Sequence, residues 1–225
     1  MKPALLFCLV PIFLLAACAA PTPAPAQTVL QVQYTAAAVP WLANIQDCAG
    51  TDVVAAEQRA ADFLAPSTVD MAVRIGQPAN LTLPAYRIGS EDVLVIVNPQ
   101  NLVSALSADQ VRGLFSGQGT DWKDVGGSDA PVQVWVFASG EDVQQVFDDS
   151  ALGGSPVVST ARLATGPDEM AQAVAQDVNA IGILSRHWKA GNVREVFTLA
   201  TVPVLAITGI APKAEVQGIL ACLQK

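Results

Sequence analysis

The sequence predicts an α/β protein, and three patterns point there. Val132, Val134 and Val136 alternate as a strand does; residues 93–97 form an unbroken apolar run; and Val111, Leu114 and Phe115 show the i, i+3, i+4 spacing of a helix face. Strand-like and helix-like stretches alternate along the chain, which is the signature of that class.

Taken in order, Leu30, Val32 and Tyr34 alternate with Gln31 and Gln33, so 29–34 reads as the first strand. A helix is expected over 39–49, with Pro40 in its first turn, where a missing N–H is harmless. Thr35 lies in the turn between them, where its hydroxyl suits a simple N-cap. Residues 52–57 read as a short second strand, 59–64 as a helical turn or two, and 69–76 as a third strand ending at Gly76. Asp70 and Arg74 sit on that strand and either meet a ligand, pair with each other or face solvent. An Arg at a strand end suits bidentate anion binding, and Arg87 is a similar but weaker candidate.

The longest strand is expected over 91–99, where five consecutive apolar residues imply burial on both faces before Asn98-Pro99 ends it. Ser107 is a good N-cap, with Asp109 and Gln110 in the first turn of a helix that Gly117 closes. A Trp-bearing turn over 121–127 follows. The strand at 132–136 stops at Ala138-Ser139-Gly140, where a helix over 141–149 begins with Val143, Val146 and Phe147 on one face. Residues 157–158 and 161–164 read as strand, and Thr165-Gly166-Pro167 opens a helix over 168–176. The tail holds two strands, 193–199 and 202–208, then a helix over 212–223. Loops from strand end to helix start, such as 138–141, present unpaired N–H groups that favour negative charge, although every α/β protein has such loops.

The N-terminus reads as an export signal. Lys2 precedes an apolar run over 5–15 that is too short to span a bilayer. Leu15-Ala16-Ala17-Cys18 resembles the bacterial lipoprotein cleavage box, which implies removal of 1–17 and a lipid on the Cys18 sulfur. An ordinary signal with a chance cysteine is the alternative. Residues 18–27, rich in Pro and Ala, read as a tether.

At 52% hydrophobic and 14% charged, the remainder is globular. The net charge of −8 argues against nucleic acid as a partner. Residues 98–185 carry eleven acidic and three basic side chains, and so hold the whole of the excess. Beyond Cys8 and Cys18, the remaining cysteines are Cys48 and Cys222, a pair that an oxidising compartment would join; two free buried thiols are the alternative. Enzyme motifs are lacking. His187, the only histidine, lies in a polar stretch beside Trp188, where a surface or crossover role is expected. No cysteine or histidine cluster has metal-ligand spacing.

The run Leu106-Ser107-x-x-Gln110-Val111-x-x-Leu114-Phe115-Ser116-Gly117, the turn Trp122-Lys123-x-Val125-Gly126-Gly127 and the strand leading to Ser139-Gly140 resemble the second lobe of the phosphate-binding proteins of bacterial ABC transporters. Met170-Ala171-x-Ala173-Val174-Ala175 followed by Asn179-Ala180-Ile181-Gly182 is similar to another segment of the same family. The motifs cover roughly 95–185. The resemblance implies a two-lobed type II periplasmic binding protein-like fold with a cleft, lobe one being 28–97 plus 186–225 and lobe two 98–185. It implies a monomeric extracytoplasmic protein, held at the membrane through Cys18, that binds a small polar or anionic solute for an ABC permease and needs no cofactor or metal. A ligand sensor or envelope component without transport is the alternative.

The ligand residues so implied are Thr35, Asp70, Arg74, Ser139, Gly140, Glu141 and Thr165. The phosphate binders place an Arg shortly before a Ser-Gly-Thr turn. Here the Arg is absent and Glu141 holds the Thr position. An acidic residue in a first turn suits the helix dipole, and it fills or repels the place of an anion.

Overall fold

The computed structural model describes residues 29–63 and 68–224, so Cys18 and the 18–27 tether lie outside it. Eight strands form one sheet in the order β2-β1-β3-β8-β4-β7-β5-β6. They are β1 (Leu30–Tyr34), β2 (Val53–Glu57), β3 (Met71–Ile75), β4 (Ala85–Val97), β5 (Gln133–Phe137), β6 (Arg162–Ala164), β7 (Ala180–Ser185) and β8 (Arg194–Thr208). The helices are α1 (Leu42–Ala49), α2 (Ala108–Ser116), α3 (Asp142–Phe147), α4 (Pro167–Gln176) and α5 (Ala214–Leu223).

The sheet has two halves with parallel strands at each end: β2, β1 and β3 on one side, β7, β5 and β6 on the other. Antiparallel β4 and β8 run between them and belong to both. One end of β8 pairs with β3 and the opposite end of β4 pairs with β7, so this long ribbon is the physical joint of the fold. Its register shifts three times, between Arg87 and Gly89, Val93 and Leu94, and Val95 and Ile96. Such irregularities bend and twist a ribbon, as a joint between two halves needs.

The apolar run at 93–97 is fully buried, as its lack of alternation implies. So is β7, which packs between β4 and β5. Ser107 caps α2 with a full capping box, its Oγ accepting from Gln110 N while the Gln110 side chain accepts from Ser107 N. Val111, Leu114 and Phe115 point inward, and the Phe115 ring meets Phe147 of α3 at 4.5 Å. Trp122 is buried and donates from Nε1 to the Asn179 carbonyl at 2.9 Å, tying the turn to the start of β7.

Several boundaries differ from the sequence reading. β4 begins at Ala85, well before Glu91, because cross-strand pairing with β8 carries residues whose pattern is too polar to read as strand. The two tail strands are one, β8, despite Pro203. The Pro203 carbonyl accepts from Gly76 N, so its missing N–H falls on the side where β3 has already ended at Ile75. Val157 and Val158 form no strand; Val158 N bonds to the Phe115 carbonyl and the segment packs on α2. The first helix is split. Residues Ala36–Trp41, with Pro40 inside, take a tighter 3-10 turn before α1 starts. A disulfide joins Cys48 at the end of α1 to Cys222 at the end of α5.

Candidate functional site

The C-terminal ends of β1 and β3 and the start of α3 meet at one point, and Asp142 occupies it. Its carboxylate is buried, 1% exposed. Oδ2 accepts from the Thr35 hydroxyl at 2.5 Å and from Ile75 N at 2.9 Å, and Oδ1 accepts from its own helix at Val143 N, 2.9 Å. Three donors converge on one acidic group: a strand-end hydroxyl, a strand-end amide and a helix N-terminal amide. That is the donor set an oxyanion site would use. Burial pushes the Asp142 carboxyl above the usual range, and the Thr35, Ile75 and Val143 hydrogen bonds and the Arg74 charge oppose it.

The neighbouring loops close over this point. Gly140 has φ 96°, a left-handed conformation that suits glycine, and a Cβ there would come within 2.8 Å of the Ala61 Cβ. Ala61 N donates to the Gly140 carbonyl at 3.1 Å, and Arg59 Nη1 reaches the Ser139 carbonyl at 3.4 Å. The space left between Ala36, Ala37, Glu141, Asp142, Gly166 and Pro167 is about 10 Å³, room for about one water. At this point the walls are thus clasped, with the protein's own carboxylate between the donors.

Glu141 precedes Asp142 and is half-buried. Burial first, then the charge of Asp142, with smaller contributions from Glu57 and Asp62, push its carboxyl up to about 7, against the pull of Arg59. Because this pKa is raised on folding, the folded state holds the proton more tightly than the unfolded chain. Its contribution is therefore complete at low pH and fades as pH rises from about 4.5 towards 7. Glu141→Gln is expected to flatten that slope and to stabilise the protein by about 1 kcal/mol above neutral pH, after allowing for solvent screening. Urea midpoints at about pH 5 and about pH 8 measure it.

The sequence-derived candidates divide. Thr35 and Glu141 flank the Asp142 site, and Gly140 and Ser139 form its loop. Arg74 reaches α3, its Nη2 donating to Gln145 Oε1 at 2.7 Å. Asp70 does not join them. It precedes β3 at the opposite end, accepting from Gln31 N at 2.9 Å and pairing with Lys213 at 2.8 Å. Four residues of extended chain, about 13 Å, separate it from Arg74, so those two do not pair. Thr165 is exposed and donates to Glu169 within its own helix turn, so its hydroxyl is committed there.

Asp142 itself was not among the candidates. The available signal was a second acidic residue directly after Glu141, which on sequence grounds reads as a solvated pair. Sequence also missed the partner of His187. Its Nδ1 meets the buried Glu91 carboxylate and its ring packs on Trp41 at 4.6 Å, at the joint where β7 ends. Burial pushes Glu91 up while His187 pulls it down.

Residues 68–219 match the family model described as a PBP superfamily domain. The chain belongs to the PBP superfamily. Solved structures agree on the fold of this PBP-superfamily chain. A putative phosphate ABC transporter substrate-binding protein from Clostridium perfringens, with bound phosphate, superposes with a TM-score of 0.80 at 16% identity, over 88% of this chain and 93% of that one. An ABC-type phosphate transport receptor from Vibrio cholerae gives 0.70 at 19% identity, over 87% and 93%. The CcmR regulatory domain from Synechocystis, in complex with 2-PG, gives 0.62 at 14% identity, over 87% and 95%. The α/β two-lobed architecture is therefore that of the periplasmic binding proteins, a fold used for transport and for regulation alike.

Proposed function

We propose that this PBP-superfamily chain is a lipid-tethered extracytoplasmic solute-binding protein that takes a small polar solute between lobe one (28–97 plus 186–225) and lobe two (98–185) and delivers it to an ABC permease. One observation carries the choice of solute. The donors of the cleft, Thr35 Oγ1 and Ile75 N, are already satisfied by the Asp142 carboxylate. A free phosphate dianion must displace that carboxylate and also lie beside Glu141, at a cost in like-charge repulsion. A neutral or hydrogen-bond-donating solute instead finds an acceptor in the half-buried Glu141. Lipidation at Cys18 and tethering through 18–27 follow from the cleavage-box resemblance.

A second reading rests on the same bonds: the halves are clasped by the protein's own side chains, which suits a ligand sensor or envelope component that does not transport. Thermal-shift screening of the mature chain against phosphate, sulfate and small uncharged polar solutes separates the two, because a ligand specific to the folded state raises the melting temperature. Stabilisation by an uncharged polar solute, without a response to phosphate, is the expected result. Indifference to every solute favours the second reading, and strong protection by phosphate overturns the argument from Asp142.

A further inference from the structure

Arg74 projects from the opposite face of β3 to Met71, Val73 and Ile75, and only 5% of it is exposed. On that face Ala72, Leu205 and Ile207 form a small apolar cluster separate from the main core. A cavity of about 290 Å³ opens against it, walled by Phe63, Leu81, Leu83 and Ile207, with Arg74, Asn80 and Thr82 as polar groups.

Arg74 lines this cavity, and its guanidinium has hydrogen bonds and the nearby charge of Asp142 but no carboxylate in direct contact among the described residues. Nε donates to the Ile75 carbonyl at 3.1 Å and Nη2 to Gln145 Oε1 at 2.7 Å. Burial lowers its pKa, and the field of Asp142 only partly offsets this. A buried cation without a paired anion is costly, so such a group is poised to accept one. A second opening of about 720 Å³ also reaches Arg74, but Asp148 and Asp149 line it and would repel an anion. Among the described residues, no acidic one lines the apolar cavity.

We propose that this cavity binds a small organic acid, its carboxylate on the Arg74 guanidinium and its apolar body against Phe63, Leu81, Leu83 and Ile207. The volume is at the lower end of ligand cavities, about 300 Å³ and upward, which selects a short chain or a single ring. An inorganic dianion lacks the apolar body and finds little to replace its hydration there. The site lies off the Asp142 cleft, and the inference does not depend on the cleft reading.

Calorimetric titration and thermal shift of the mature chain with hexanoate, hexan-1-ol and phosphate test it. Hexanoate is expected to bind and to raise the melting temperature, and the other two to do neither. Arg74→Gln is expected to weaken hexanoate about tenfold or more, the loss of a charge-assisted hydrogen bond. Leu81→Trp fills the cavity from an outer loop and leaves Arg74 in place; it is expected to abolish binding. No binding of hexanoate by the parent overturns the proposal, as does undiminished binding by Leu81→Trp. If Arg74→Gln fails to fold, Leu81→Trp decides alone.

Discussion

Asp142→Ala is expected to lower stability and, at the same time, to give the cleft an affinity for oxyanions that the parent lacks. The substitution leaves the Thr35 hydroxyl and the Ile75 amide without their acceptor in a buried place. Each unsatisfied donor costs about 1–3 kcal/mol, and release of a buried carboxylate offsets part of this. A net loss of about 3 kcal/mol lowers the melting temperature by about 6–12 °C in a chain of this size. The vacated donors then face a space the size of a carboxylate. Formate, acetate, sulfate and phosphate are the probes. An anion at a hundred times its dissociation constant restores about 2.7 kcal/mol, so most of the loss is recoverable. Asp142→Asn keeps one acceptor oxygen and fills the space; a smaller loss and no anion response are expected. If Asp142→Ala ignores all four anions, or the parent responds to phosphate as strongly as the variant, then Asp142 does not stand in an anion's place.

The same residue marks the limit of what the sequence discloses. Local patterns disclose local structure. The capping box at Ser107, the inward face of α2 and the burial of 93–97 follow from residue types a few positions apart, and the structure shows each. The resemblance carried by 106–140 and 170–182 reached the fold for a related reason: those motifs pack largely on one another, as Trp122 does on Asn179. The site is different. Thr35 and Asp142 are 107 residues apart, and Ile75 contributes only a backbone amide, which no side-chain pattern records. Glu141 stood out because it breaks a motif, whereas its neighbour, which accepts the hydrogen bonds, broke nothing. Asp70 misled because it stands before the first residue of β3, whereas the Asp142 site lies at the strand's last residue, Ile75; there Asp70 is held by Lys213 and Gln31. Pro203 is tolerated within β8 because its lost donor matters only if a strand lies on that side, and there β3 has ended.

Breaking the Cys48–Cys222 disulfide is the other large effect expected. The bond closes a loop of 174 residues, which contains nearly every strand and both passes of the β4–β8 ribbon. Cross-linking so long a loop removes unfolded-state entropy worth about 4–5 kcal/mol in chain-entropy models, with measured values often lower. In the folded state it clamps α1 against α5, whose inner faces present Ile45 on one side and Val216, Ile219 and Leu220 on the other. These side chains stay packed without the bond, so Cys48→Ser with Cys222→Ser is expected to fold and to keep its secondary structure. Its stability in urea should fall by about 2–5 kcal/mol. Because the constraint acts on the unfolded chain, a steeper dependence of stability on urea is expected as well: an unbridged chain exposes more surface when it opens. A double variant with unchanged midpoint and slope would mean that the linkage holds nothing that packing does not already hold. The effect on the cleft is expected to be small, since Asp142, Thr35 and Ile75 draw on β1, β3 and α3 and touch neither cysteine. Measuring the oxyanion response of Asp142→Ala with the disulfide intact and with it removed therefore separates global stability from local site formation. Equal dissociation constants in the two backgrounds are the expected result, and a response that vanishes with the disulfide would place the site's organisation in the packing of α1 on α5.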